Sequence, residues 1–494
     1  MAEFSCPNLL AAVKDNPAAM AELTTLLKML SELSDKVARL EARIDQLTTN
    51  SHTSSKPPSS DRHNPNKPPP RSLRRSSGLA PGGQPGHAGH SLERTAEPNE
   101  VLETPLAANC PECGEPLEGA KVETVEVQAR QVIEVEPPKR RVVEHRGRAV
   151  RCPRCGALIA PNFPAGVNAP VQYGNSVQTL VVYLSVWQLV PSHRLSEMMD
   201  QLFGCALSPG SVVTMLRRAA KNSTVVVAAI RECILKEPWA GFDETGLSLG
   251  GLIYWLHTAS TPSYTLLHTH PKRGIEGIVA GTIFLGFTGR AIHDFLAAYM
   301  SLGSGQHGLC NGHHLRDLNF VEEVLKQSWG AAMIEFLVET KNKVEPLHKE
   351  GRQLSARELN KLQDRYFEIL EEGYEQNPEP PPKAKGKRGR PARGKALNLL
   401  DRFRDHSEAV MAFVLHPGTP FDNNHAERDL RMMKIRQKIS GCFRALDLPE
   451  AFARLRSIVA TAAKHSVSAL RAIEVLFEPN PSLEAIIHPS VEGT

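Results

Sequence analysis

Between residues 23 and 47 apolar side chains return at alternating intervals of three and four and hold that rhythm through four repeats. Leu23, Leu30, Val37 and Ile44 take the a positions of a heptad, and Leu26, Leu33, Leu40 and Leu47 take the d positions. Leu at every d, with β-branched residues at two a positions, predicts a parallel two-stranded coiled coil. The rhythm ends in 51–105, where SSKPPSSD and GGQPGH typify a stretch rich in Ser, Pro, Gly and Arg. Such a composition cannot bury a core and predicts a disordered basic linker. Apolar–polar alternation then appears in VETVEVQARQVIEVE and RRVVEHRGRAV, predicting strands.

Helical spacing takes over in 175–235. RLSEMMDQLFG followed by CALSPGSVVTMLRRAA has the form of a helix-turn-helix, with Ser208 as N-cap and Pro209 at the first helical position. DNA reading and ordinary helix packing both fit this segment. Strand patterns return from Trp239 to Phe295 in WAGFDETGL, LIYWLHTAS, SYTLLHTH and TIFLGFTGRAIHDF. Gly-Gly after the first and Thr-Pro-Ser after the second predict tight hairpins. An antiparallel meander with a further strand is the beginning of an RNase H-like sheet. Charged helices follow over 315–375, then PEPPPKAKGKRGRPARGK, another helix, and a C-terminal helical pair.

The expected architecture is multidomain α+β. It comprises a coiled-coil dimerisation helix (1–50), a basic disordered linker (51–105), a four-cysteine zinc-binding domain (106–165) and a helical region (166–235). The first part of an α/β catalytic core (236–300) is followed by a helical insertion with a basic linker (301–415). A core helix (416–445) and a C-terminal helical tail (446–494) complete the chain.

Charge sharpens this picture by its distribution, because the net value over 494 residues is only +4. Cations cluster at Arg71, Arg74 and Arg75, from Lys383 to Lys395, and from Arg428 to Lys438, which suits a polyanion. No apolar run reaches the length of a membrane span, and the polar start is unlike a signal peptide, so a cytoplasmic protein is expected. Nine cysteines, four of them in Cys110-x-x-Cys113 and Cys152-x-x-Cys155, point to a reducing compartment and a closed tetrahedral Zn²⁺ site.

The segment FDNNHAERDLRMMKIRQK (421–438) reads as a helix with Asp422 as its cap. At roughly 100° per residue, Asn423, Asn424, Glu427, Arg431, Lys434 and Lys438 lie within about 60° of one line. Ala426, Leu430 and Met433 lie beside that line and are its expected anchors to a core. A carboxylate among amides and cations suits a metal beside a phosphate. Asp243 in GFDETG and Asp294 in RAIHDF end two strand signals, so three carboxylates could meet at one sheet edge and hold two Mg²⁺ (or Mn²⁺) ions. Glu244 is expected to face away from Asp243. Lys387-Arg388-Gly389-Arg390-Pro391 has the form of an AT-hook, and a plain basic linker fits equally.

The N-terminal coil, SSKPPSSD, GGQPGH, the paired Cys-x-x-Cys, DET at 243–245, HDF around 294, CNGHHLRDL at 310–318 and DNNHAERDLR at 422–431 together resemble the IS66-family transposases. The resemblance covers nearly the whole chain. It implies a DDE enzyme with Asp243, Asp294 and Glu427 as its triad, in an RNase H-like core interrupted by a helical insertion. It also implies cleavage and strand transfer at insertion-sequence ends and a bacterial, nucleoid-associated setting. The partners it implies are terminal repeats and target DNA, a homodimer or higher oligomer, and small accessory proteins of the same element. Arg428, Arg431, Lys434, Lys438, Arg388 and Arg390 are the expected DNA contacts, with Arg316 a further phosphate contact. For Cys310, His313 and His314 a structural role is the usual expectation. A metal-dependent nuclease without strand transfer and a non-enzymatic zinc/zipper DNA-binding regulator are the alternatives.

Overall fold

In the computed structural model, residues 140–302, 305–380 and 393–488 are described without a break, together with short stretches between 16 and 138. Of the heptad, Leu23 and Leu26 lie in a helix over 17–26, and Leu26 and Leu33 are exposed. Leu30, Val37, Leu40, Ile44 and Leu47 lie outside the described residues, as do Arg388, Arg390 and nearly all of the 51–92 stretch.

Two short strands, β1 (Val150–Arg151) and β2 (Leu158–Ile159), pair antiparallel around the second Cys knuckle. The strands expected between the knuckles do not form in 129–135 or 140–149. Val132, Ile133, Val135, Val142 and Val143 are all exposed there. Alternation specifies a strand only when a neighbouring strand and a covering surface are present.

Four helices follow: α1 (Asn175–Val186), α2 (Ser192–Phe203), α3 (Pro209–Asn222) and α4 (Thr224–Leu235). Gly204 ends α2 in the left-handed region, and the Ser208 hydroxyl accepts the Ser211 N–H at 3.0 Å to start α3. Val181, Leu195, Met199, Leu207, Val212 and Met215 form the core between α1, α2 and α3.

The central sheet contains β3 (Trp239–Leu249), β4 (Leu252–Ser260), β5 (Thr265–His270), β6 (Arg290–His293) and β7 (Gln306–Leu309), in the order β5-β4-β3-β6-β7. The first three strands are antiparallel, and β6 and β7 run parallel to β3. Gly250 and Gly251 both have positive φ, as a two-residue turn between β3 and β4 requires. All four residues of β6 are buried. The apolar run TIFLGF does not join that strand. It forms a four-residue helix, Ile283–Gly286, whose Phe284 packs edge-on to Phe242 at 5.0 Å. A short apolar run buries equally well as helix or strand, and here the aromatic cluster decides.

Between β7 and the last part of the sheet domain, α5 (Asn311–Glu323), α6 (Ser328–Lys349), α7 (Ala356–Gln376) and α8 (Lys395–Asp405) build a second core around Trp329, Phe336, Tyr366, Leu400 and Phe403. The chain then returns to the sheet as α9 (Asn424–Ser440), which packs on β3 and β4, and α10 (Leu448–Lys464), which packs along β5.

The C-terminal helical segment is therefore not a tail. Strand β5 is a sheet edge, and its N–H groups at Thr265, Leu267 and Thr269 donate to Thr461 Oγ1 (3.1 Å), Ser457 Oγ (2.9 Å) and Glu450 Oε2 (3.0 Å) of α10. The helix substitutes for a missing strand and closes the edge to further pairing.

Candidate active site

Strand β6 lies parallel to β3 with Gly241 opposite Ile292. Carrying that register two residues further brings Asp243, inside β3, level with Asp294, just past the end of β6. Asp243 is thus internal to an 11-residue strand that outruns β6, where the sequence pattern had put it at a strand end. On the other side of β6, the Cys310 N–H donates to the His293 carbonyl at 2.9 Å, so Cys310 flanks Asp294.

Helix α9 brings Glu427 in its first turn. Its start is fixed by Asn423, one residue later than the expected cap; Asp422 still accepts the Asn424 N–H at 3.2 Å. The buried Asn423 side chain donates to the Phe242 carbonyl at 2.8 Å, and its backbone N–H points at Cys310 Sγ at 3.2 Å. Gly241 permits this approach, because a Cβ there would run into Asn423 Oδ1. Ala426, Leu430 and Met433 are buried as expected. One asparagine therefore ties together the strands of Asp243 and Cys310 and the helix of Glu427.

These carboxylates share one field. Burial first, then Glu244 and Asp294, and more weakly Glu427, raise the pKa of Asp243 well above the usual carboxylate range. The Glu244 N–H donates to Asp243 Oδ1 at 2.8 Å, and the Leu296 N–H donates to Asp294 Oδ1 at 3.0 Å, which orients both groups. Glu244 itself is buried and engaged elsewhere. It accepts from Arg273 Nε (2.8 Å) and from the Tyr299 hydroxyl (2.8 Å), and Arg273 lies over the Trp255 ring. Sequence reasoning placed Asn423 on the polar line of this helix but not its bond to β3, and it missed Arg273 and Tyr299.

The polar residues of α9 divide by partner. Asp429 accepts from Ser260 Oγ (2.7 Å), Thr265 Oγ1 (2.7 Å) and Lys464 Nζ (3.0 Å), a buried network that pins the helix to β4, β5 and α10. Lys434 donates to the Gly246 carbonyl at 2.9 Å and so helps hold α9 to β3. Arg428, Arg431 and Lys438 are exposed. Glu427 lies 3.8 Å from His313 Nδ1 and 3.9 Å from Arg316. His314 belongs to the helical core instead, with its Nδ1 on Asn311 Oδ1 at 3.0 Å and its ring against Phe403.

The two Cys knuckles fold alike. Gly114 and Gly156 return their N–H groups to the Cys110 and Cys152 carbonyls at 2.9 Å, and each glycine has positive φ. Backbone N–H groups of Cys113 and Glu112 lower the Cys110 thiol pKa, and those of Cys155 and Arg154 do the same for Cys152. Each knuckle thus has the donors of half a tetrahedral site. Among the described residues, though, the one group of three or more ligands within reach of a single ion is Cys310, His313 and Glu427, so neither the four knuckle sulfurs nor the carboxylates of Asp243, Asp294 and Glu427 are brought within reach of one ion. Of the cations ending α3, Arg217 pairs with Asp447 at 2.5 Å and Arg218 reaches Gln178 at 3.3 Å.

Residues 11–93 match a family of unknown function (DUF6444). No curated protein matches the chain. Among solved structures, the simian T-cell lymphotropic virus intasome in complex with PP2A regulatory subunit B56 gamma aligns with 49% of this chain and 76% of its own at 11% identity, with a TM-score of 0.13 that carries no argument about fold. The profile of the transposase IS66 family matches residues 170–448. That match takes in the helices before the sheet, all five strands, the helical insertion and α9, and over this majority of its length the chain belongs to the IS66 family of transposases.

Proposed function

We propose that this transposase cuts DNA at the ends of an insertion sequence and joins them to target DNA, with Asp243, Asp294 and Glu427 as its acidic triad. The observation that carries the reading is the field felt by Asp243, which is buried and acted on by the charges of Glu244, Asp294 and, more weakly, Glu427. Carboxylates that crowd one another electrostatically suit a hard divalent cation, Mg²⁺ or Mn²⁺, which would draw them into one shell. Bound there, the metal would activate water or a 3′-hydroxyl and stabilise the leaving oxygen. The protein's own part is placement. Backbone N–H groups aim Asp243 and Asp294, and Asn423 sets the depth of Glu427 against β3. Exposed Arg428, Arg431 and Lys438 continue from Glu427 along α9 and suit a phosphate backbone.

The strand order, with three antiparallel strands followed by two parallel ones, supports an RNase H-like core into which the α5–α8 unit is inserted. Within the same reading, residues 106–165 form a zinc ribbon once a Zn²⁺ ion draws the knuckles together, and the heptad pairs subunits so that two element ends meet. The Arg388–Arg390 run contacts DNA, and small proteins of the element assist. The test is a strand-transfer assay with pre-cut element ends and Mg²⁺. Joined products are expected from the wild-type chain and not from Asp243→Asn, Asp294→Asn or Glu427→Gln. Cleavage without joining under any condition would leave a nuclease.

A further inference from the structure

Cys310 lies between β7 and α5 and is fully buried, with its sulfur facing the start of α9. One helical turn later His313 presents a ring nitrogen, Nδ1, that is buried and has no hydrogen-bond partner. A buried polar atom without a partner is costly, and it is uncommon in a site fixed on every other side. The Glu427 carboxylate supplies the third group, and the sulfur, ring nitrogen and carboxylate oxygen all lie within 4.8 Å of one another. A tetrahedral ion with bonds of about 2.0–2.3 Å needs ligand atoms roughly 3.3–3.8 Å apart. The His313–Glu427 separation of 3.8 Å already lies at the edge of that range.

From this geometry we infer a second metal site, in which Cys310 Sγ, His313 Nδ1 and Glu427 bind a thiolate-seeking divalent cation, with Zn²⁺ the best fit. Sulfur and imidazole select Zn²⁺ over Mg²⁺, which prefers an all-oxygen shell. Binding releases the Cys310 proton, since the ligand is the thiolate. The backbone N–H of Asn423 is already aimed at the sulfur and would stabilise the thiolate. His314, although adjacent, is spent on Asn311 and contributes nothing.

The site shares Glu427 with the acids proposed for catalysis. A cation held by Cys310 and His313 occupies the Glu427 carboxylate that the acidic triad would need. Zn²⁺ is therefore an antagonist of Mg²⁺-dependent cleavage. This consequence rests on the proposed triad, whereas the binding itself does not.

The experiment uses the full chain, dialysed against buffered free Zn²⁺ and analysed for bound metal. The wild type is expected to hold one equivalent more than Cys310→Ser and one more than His313→Asn, with the circular dichroism of each variant checked against the wild type. Two ligand variants are used because Cys310 is buried and its substitution could unfold the chain. Cobalt(II) loading should show thiolate-to-metal charge transfer in the wild type that weakens in Cys310→Ser. Equal zinc content in the wild type and both folded variants overturns the site. Zinc that binds at Cys310 yet leaves Mg²⁺-dependent cleavage unchanged overturns the antagonism. Cleavage that survives Asp243→Asn, Asp294→Asn and Glu427→Gln overturns the triad, and the metal count would still report the site.

Discussion

The side-chain amide of Asn423 donates to the carbonyl of Phe242 at 2.8 Å, one residue before Asp243 on β3. This bond joins positions far apart in sequence and sets how deeply α9 lies against the strand. Asn423→Ala leaves a buried carbonyl unpaired and should cost about 1–3 kcal/mol. Gly241→Ala should also destabilise, because the new methyl meets Asn423 Oδ1. The two changes share one contact, so a double-mutant cycle read by urea midpoints should be non-additive, with Gly241→Ala milder in the Asn423→Ala background.

Neutral isosteres at the acids should separate activity from stability. Asp243→Asn, Asp294→Asn and Glu427→Gln are each expected to lower metal-dependent cleavage on the order of 10²–10³-fold. Asp243→Asn should not lower the metal-free melting temperature, since burial, Glu244 and Asp294 all disfavour the charged form it replaces. A large drop in melting temperature would mean that the carboxylate is structural.

Helix α10 covers the edge of the sheet through side chains, and their burial ranks the consequences. Ser457 and Thr461 are fully buried, so Ser457→Ala or Thr461→Val should each cost about 1–3 kcal/mol by orphaning the N–H of Leu267 or Thr265. Glu450→Ala should cost less, because water reaches the Thr269 N–H more easily. A chain ending at 447 should expose β5 and aggregate in light scattering.

Acid should weaken the sheet through a histidine pair. His257 and His268 stack with centroids 4.8 Å apart, and burial, followed by the charge of His268, pushes His257 down to about 3. An unfolded histidine titrates near 6.5, so below that pH the unfolded chain binds the extra proton. Stability is full above about 6.5 and declines as pH falls toward about 3. At pH 5 the loss from His257 is about 2 kcal/mol. Urea midpoints at pH 7.5 and pH 5 measure it, and His257→Gln should flatten the difference.

The heptad can be tested by charge. Leu26 and Leu33 are exposed in the single chain, as d positions awaiting a partner would be. Leu33→Lys with Leu40→Lys should convert dimers to monomers in sedimentation. Persistent dimers would place the main interface elsewhere.

Local pattern was enough for several elements. Ser208 with Pro209 marked the start of α3, Gly250-Gly251 marked the β3–β4 turn, and Ala426, Leu430 and Met433 marked the buried stripe of α9. These features depend on residues within a turn or two of one another, where backbone preference and hydrophobic period act directly. The same period could not say that Ile283–Gly286 is helical, that Lys434 is bound by a strand carbonyl, or that 129–135 and 140–149 form no strand. Nor could it show that α10 is the cover of a sheet edge. The sequence by itself determined which residues are acids and which faces are apolar. Only the tertiary structure decided that the register of β3 and β6 brings Asp243 level with Asp294 and that Asn423 joins the start of the Glu427 helix to β3, while Glu244 is taken up by Arg273 and Tyr299. Strand register and helix depth are set by packing between distant segments, and a one-residue slip in either would reverse those partnerships while leaving every local pattern intact.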